Sequence, residues 1–193
     1  RAMARLLRKH LPAGASPHIV ELGAGDGNFL LRVAGRLHRR WPVAEATLVD
    51  RLDALDPETR RKFNRLGWQV RQEIAEAREW LSRPGTTNRI LISNLFFHQF
   101  ETAALAEMLE LAAKSSQLVI ALEPRRGLLP RFFGRLIWAI GCGPVTRNDA
   151  RISIRAGFVN GELSALWPNK QRWELKERRL GLFSHQFVAR RKS

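Results

Sequence analysis

The sequence predicts an α/β domain: a doubly wound, mostly parallel seven-stranded sheet closed by a C-terminal antiparallel hairpin. Three observations point there. Short apolar runs alternate with helical patterns from Ile19 to Leu122, which calls for a parallel sheet covered on both faces. The stretch His18–Asn28 reads as a strand, a turn with alternating Gly23, Gly25 and Gly27, and a helix start. Finally, Arg172–Arg179 and Phe183–Arg190 flank Leu180-Gly181 and break the alternation as a hairpin.

The elements follow in order. Ala2–Leu11 is a basic amphipathic helix stopped by Pro12-Ala-Gly14. Ile19, Val20 and Leu22 form the first strand, and Phe29–Leu37 carries the first crossover helix toward Arg40. Ala46–Val49 is the second strand, closing on Asp50. Asp56-Pro57-Glu58 is a helix start, with Asp56 as N-cap and Pro57 in the first turn. Gly67–Val70 begins a third strand, and Ala75–Leu81 is a short helix. Arg89–Asn94 is the fourth strand, Leu95–Phe100 a loop and Glu101–Lys114 a helix with Leu105, Met108, Leu109 and Ala112 on one face. Gln117–Leu122 is the fifth strand, ended by Glu123-Pro124.

At 193 residues the chain supports one α/β domain and not two. The single cysteine, Cys142, excludes a disulfide framework and a cysteine-built metal site, and fits a cytoplasmic setting. His10, His18, His38 and His185 lack ligand spacing, so no metal is expected. No charge-free apolar run reaches the roughly 18–20 residues that cross a bilayer. The first methionine is Met3, so a segment upstream is expected.

The net charge of +15 is uneven: residues 1–124 hold 18 basic and 14 acidic side chains, residues 125–193 hold 15 and 4. That excess suits an acidic partner or substrate, such as nucleic acid, an anionic surface or a phosphate or carboxylate carrier. The competing reading is a solvated arginine-rich surface with a basic tail at Arg190–Lys192.

The glycine turn decides between cofactors. A dinucleotide fingerprint wants its third glycine at the position of Asn28, whereas this turn runs acid-x-Gly-x-Gly-x-Gly from Glu21 to Gly27. A pyrophosphate on the helix N-terminus would also meet the carboxylate of Asp26. A cationic or neutral cofactor meets no such conflict. Asp50, at the end of the second strand, is placed to accept hydrogen bonds from ribose hydroxyls.

With the turn Glu21–Gly27, the strand-end Asp50, the segment Ile92–His98 and the terminal hairpin in order, the chain resembles class I S-adenosylmethionine-dependent methyltransferases. It is similar in particular to bacterial small-molecule methyltransferases, through Asn94–His98 and Asp149–Phe158. The resemblance implies a Rossmann-like methyltransferase fold across residues 1–193 as a single domain. It implies S-adenosylmethionine as cofactor and S-adenosylhomocysteine as product. Cofactor-binding residues are then Glu21, Gly23, Ala24, Gly25, Gly27, Asp50, Arg51, Glu76, Asn94 and Leu95, with Glu76 preferred to Glu73 at the adenine. Relatives of this type carry extra N-terminal helices that cover the substrate, a cap this chain is expected to lack.

Methyl transfer to an alcohol or phenol needs a base, and His98 is the candidate. The alternative for it is a histidine that hydrogen-bonds backbone or shapes the pocket. Phe97 is expected in a pocket wall, while Phe96 and Phe100 suit core or wall equally. Asp149 is a candidate N-cap, and Arg155 either reaches substrate or pairs with a surface acid. Leu128–Cys142 is a helix apolar around most of its circumference. It packs on the sheet, roofs a substrate, pairs with a second copy or rests on a membrane surface.

The leading reading is methyl transfer to a small, largely apolar acceptor such as a phenol, polyketide or quinone precursor. The runner-up is a nucleic-acid methyltransferase, since Asn94–Phe97 echoes an Asn-x-Pro-aromatic signature with Phe96 in place of the proline. The third is a non-catalytic scaffold that keeps the fold.

Overall fold

The computed structural model describes residues 1–83, 89–126 and 157–192. Its strands are β1 (His18–Leu22), β2 (Ala44–Asp50), β3 (Trp68–Ile74), β4 (Arg89–Asn94), β5 (Ser116–Pro124), β6 (Trp173–Leu180) and β7 (Ser184–Arg191). They form one seven-stranded sheet in the order β3-β2-β1-β4-β5-β7-β6. The described residues divide into two compact units, residues 1–94 with 111–120, and residues 95–110 with those from 121 onward.

In the first unit β1 lies between two parallel neighbours, with Val20 level with Thr47 of β2 and Leu91 of β4. Its residues Ile19, Val20 and Leu22 are fully buried, as a strand covered on both faces must be. Helix α1 (Ala2–His10) precedes β1, and α2 (Asn28–Leu37), α3 (Pro57–Arg65) and α4 (Ala77–Ser82) lie between successive strands. Leu7, Leu30, Leu37, Trp41, Phe63 and Trp68 fill the core. Two of its buried indoles are satisfied by backbone: Trp41 Nε1 donates to the Pro12 carbonyl at 2.7 Å and Trp68 Nε1 to the Trp41 carbonyl at 3.2 Å. Asp56 caps α3 as its sequence predicts, accepting from the N–H groups of Glu58 and Thr59.

β3 runs four residues further than its apolar signal. Trp68 and Val70 are buried, but Arg71, Gln72 and Glu73 continue the ladder because each pairs with a residue of β2 as far as Asp50. An edge strand needs apolar side chains only where it is covered, so polar residues hid its second half.

In the second unit α5 (Thr102–Ser115) begins, and its Leu105, Met108 and Leu109 are buried as the helical spacing predicts. The hairpin β6–β7 is antiparallel, with Trp173 opposite Arg191 and Leu180 opposite Ser184, and Gly181 turns with φ +66°. Three short elements had no periodic signature: the helix α6 (Glu162–Leu166) and single 3₁₀ turns at Phe97–Gln99 and Lys170–Arg172. Trp167 sits 5.0 Å from Trp173 and 5.3 Å from Phe187, an aromatic cluster that anchors α6 to the hairpin. The Leu128–Cys142 helix, the Asp149 cap and Arg155 lie outside the described residues. Among the described residues no helix is long and apolar enough to cross a membrane.

Glu177 ties α6 to the hairpin by chemistry as well. Its side chain is 3% exposed and accepts from the Leu163 and Ser164 N–H groups at 3.3 and 2.7 Å, and from His185 Nε2 at 2.6 Å. Burial alone would raise its carboxyl, but the hydrogen bonds from His185 and Ser164 outweigh that and hold it below the usual glutamate range. A depressed carboxyl stabilises the fold above its unfolded value, roughly 4.3, and that support is lost as pH falls through the lower folded value. Glu177→Gln is therefore expected to lower stability by about 1.5–3 kcal/mol at pH 7. The gap to wild type should close between about pH 5 and pH 3, read as unfolding midpoints in denaturant across that range.

Candidate functional site

The turn after β1 is built on three left-handed glycines, Gly23 (φ +67°), Gly25 (φ +53°) and Gly27 (φ +74°). A side chain at any of them is strained. Two of the three differ in what surrounds them. A Cβ on Gly27 would meet Leu48 Cδ1 at 2.6 Å, so Gly27 lets α2 start against β2, whereas a Cβ on Gly25 would meet nothing within 4 Å. Gly25 thus presents bare backbone to open space.

β2 holds this turn from beside it. Gly23 and Ala24 donate to the Val49 carbonyl at 2.9 and 3.2 Å, and Gly25 donates to Asp50 Oδ2 at 2.8 Å. The other oxygen, Asp50 Oδ1, accepts from the Leu52 N–H at 3.0 Å. A carboxylate has about four acceptor positions, so Asp50 keeps capacity after bracing both loops. Asp26 closes the start of α2: Asn28, through its side-chain amide at 2.7 Å and its N–H at 3.0 Å, holds the carboxyl below its ordinary value. A carboxylate therefore already stands where a pyrophosphate would bind.

Glu21 lies in β1 just ahead of the turn and is 1% exposed. Burial pushes its carboxyl well above the ordinary range, against a hydrogen bond from the Leu30 N–H, and the charges of Asp26 and Asp50 push the same way. Its Oε2 is buried without a hydrogen-bond partner. An orphaned acidic oxygen beside a glycine turn is an acceptor waiting for a donor.

At the ends of β2 and β3 the chain exposes Leu52 (68%) and Ile74 (58%), two large apolar side chains that sequence analysis did not single out. Arg51 and Glu76 face each other at 3.4 Å, both exposed, while Glu73 pairs with Arg83 at 3.2 Å. Glu76 is also the N-cap residue of α4. Asn94 ends β4 half-exposed, with no side-chain hydrogen bond among the described residues.

The second unit contains the residues that follow. Leu95 is 52% exposed and adopts φ +57°, a conformation a branched side chain rarely takes. Its N–H donates to the Leu122 carbonyl at 2.8 Å. Beyond it, Glu123 organises the segment. The fully buried carboxylate accepts from the N–H groups of Phe96 (3.1 Å), Phe97 (2.9 Å) and His98 (3.3 Å), and from His98 Nδ1 at 2.9 Å. A carboxylate only accepts, so Nδ1 donates to Glu123, and Nε2 has no protein partner among the described residues. The His98 side chain is 11% exposed. Phe97 is buried outright and lies tilted against Phe96 at 5.6 Å, whose ring also meets Phe100 edge-on at 5.1 Å. Sequence reasoning took Glu123 only as the end of a strand; the signal it missed was an acid at a strand terminus opposite a His-bearing loop. Among the described residues no group of three His, Cys, Asp or Glu side chains is arranged to hold a metal.

No protein-family model and no curated protein sequence matches the chain. Solved structures do. An O-methyltransferase family protein of Burkholderia thailandensis matches at TM-score 0.62 and 16% identity, over 100% of this chain and 58% of that one. A SAM-dependent methyltransferase of Aquifex aeolicus matches at 0.60 and 12%, over 96% and 88%. Magnesium protoporphyrin IX methyltransferase of Synechocystis PCC 6803, solved with bound SAM, matches at 0.59 and 11%, over 99% and 77%. The chain spans 56–66% of the length of three of the matching structures, from Nostoc punctiforme, Burkholderia thailandensis and Bordetella parapertussis. With its glycine turn, its strand order and its closing hairpin, the chain has the fold of the class I S-adenosylmethionine-dependent methyltransferases.

Proposed function

We propose that this chain transfers a methyl group from S-adenosylmethionine to a small, largely apolar acceptor with an ionisable hydroxyl. The observation that carries the reading is the pairing of a left-handed glycine turn with Asp50 at the carboxyl ends of β1 and β2. Neighbouring folds include a natural-product methyltransferase solved with S-adenosylhomocysteine and the porphyrin methyltransferase above, which supports a small-molecule acceptor.

The residues present fit that cofactor. Gly25 offers bare backbone to open space within the turn formed by Gly23, Ala24 and Gly27, and Glu21 offers a buried oxygen to an ammonium group. Asp50 has acceptor capacity for ribose hydroxyls, and Leu52 and Ile74 suit the faces of an adenine ring. In this reading Glu76, with Arg51 against it, lies at the adenine edge, and Asn94 and Leu95 lie along the methionine part. The cofactor supplies an electrophilic methyl group on a sulfonium. The protein supplies alignment and a dry site, and His98 Nε2 takes the acceptor's proton while Glu123 stabilises the resulting imidazolium. The Phe97 N–H is held by the same carboxylate, and in this reading Phe97 backs the pocket wall.

Asp50→Ala is expected to weaken S-adenosylhomocysteine binding about ten- to a hundredfold by titration calorimetry, the loss of one to two charge-assisted hydrogen bonds. Equal affinity in the two proteins would end the cofactor assignment. Against whichever member of a phenol panel is methylated, His98→Ala should lower kcat by roughly two to four orders of magnitude with cofactor affinity unchanged. Glu123→Gln should lower kcat in the same direction by releasing the imidazole from its tautomer.

A third expectation concerns Glu21 in the free protein. A carboxyl raised by burial supports the fold fully below about pH 4.3, and that support is lost as pH rises through its higher folded value. Glu21→Gln removes the titration. Its unfolding temperature relative to wild type should therefore climb steadily from pH 5 to pH 8.5, and a flat difference would contradict the buried acid.

A further inference from the structure

The charge excess after residue 124 gathers partly in one place. A pocket of about 380 Å³ in the second unit is lined by Arg125, Arg178, Arg179, Ser164, Glu177 and His185. Its arginines come from the carboxyl ends of two strands, Arg125 directly after β5 and Arg178 and Arg179 just before the last residue of β6, while Ser164 comes from α6 and His185 from the start of β7. The Arg125 N–H donates to the Phe183 carbonyl at 2.8 Å, which joins the end of β5 to the hairpin turn. Carboxyl ends of strands are where open α/β sheets receive ligands.

Three arginines and one glutamate line the pocket, and that glutamate's carboxylate is already used. Glu177 is spent on the Leu163 and Ser164 N–H groups and on His185, which leaves little of its acceptor capacity for arginine. Other arginines nearby do have acids: Arg126 pairs with Glu162 and Arg190 with Glu174. Among the described residues, Arg125, Arg178 and Arg179 make no ion pair. Alternation along β6 puts Arg179 on the same face as Glu177, opposite His185, and Arg178 on the other face at the rim. Unpaired guanidinium groups around a concavity repel one another, and an oxyanion relieves this while matching their planar donor forks.

We propose that this pocket binds an oxyanion, a carboxylate or phosphate carried by a small molecule, with Arg125 and Arg179 as its principal contacts and Arg178 at its rim. That this molecule is the methyl acceptor rests on the reading above, and gives the largely apolar acceptor one anionic group. The volume suits a phosphate ester or an aromatic acid rather than a polymer.

The test is calorimetric titration of the full chain with inorganic phosphate and, separately, 4-hydroxybenzoate, at constant ionic strength set by chloride. Wild type, R125Q/R179Q and R125K/R179K are compared, and S-adenosylhomocysteine is titrated into each. The expected result is binding of at least one oxyanion to wild type, weakened tenfold or more in the glutamine variant and partly restored by lysine, with S-adenosylhomocysteine affinity the same in all three. The arm that binds tells phosphate from carboxylate. Equal oxyanion binding in wild type and R125Q/R179Q, or none by wild type, overturns the pocket. Arginine-dependent oxyanion binding in a protein that ignores S-adenosylhomocysteine supports the pocket and overturns the donor reading instead.

Discussion

The first half of the chain depends on one carboxylate, Asp50, gripping two loops at once. Through Oδ2 it takes the Gly25 N–H and through Oδ1 the Leu52 N–H, so the turn after β1 and the turn after β2 share a single anchor. The glycine turn in turn needs glycine, because Gly27 sits at φ +74°, where any side chain is strained, and a Cβ there would also press on the Leu48 side chain at 2.6 Å. Strand, turn and helix start are therefore one mechanical unit, held by contacts within the protein. That is the preorganisation a cofactor cradle requires.

Two buried glutamates illustrate how differently the same residue type is used. Glu21 and Glu123 are each 1% exposed. Glu123 is saturated by three backbone N–H groups and a histidine, which makes it a structural clamp that also sets a tautomer. Glu21 keeps an oxygen with no partner, and its environment resists the charge. A satisfied buried carboxylate orders its surroundings, whereas an unsatisfied one marks a place where a polar group is missing. The strained φ of Leu95 falls beside the clamp and not beside an ordinary loop. Its Leu122 contact and the Glu123 bonds over-determine the backbone there, and this is how a costly conformation persists.

Arginine-rich composition, by contrast, does not divide into function and surface until partners are assigned. Arg126, Arg83 and Arg190 have acids, and Arg191 lies over the Trp173 ring at 4.8 Å. These are ordinary surface arrangements worth little each. Arg125, Arg178 and Arg179 stand apart only because the acid among them is occupied elsewhere.

By itself the sequence determined the order of strands and helices, the glycine turn, the Asp56 cap, the buried face of α5 and the closing hairpin. Each is written in local terms: apolar period, glycine spacing, a capping acid before proline. It also marked Asp50 and His98 by their positions after strands. It did not determine the second half of β3, the helix α6, or which side chains meet. Polar residues on an edge strand and a five-residue helix bury too little to leave a periodic trace. Only the tertiary structure decided that Glu123 holds His98, that Glu177 holds His185, and that Glu21 holds nothing on one side. A buried charge is defined by partners 8 to 26 or more residues away, and that distance lies beyond any local pattern.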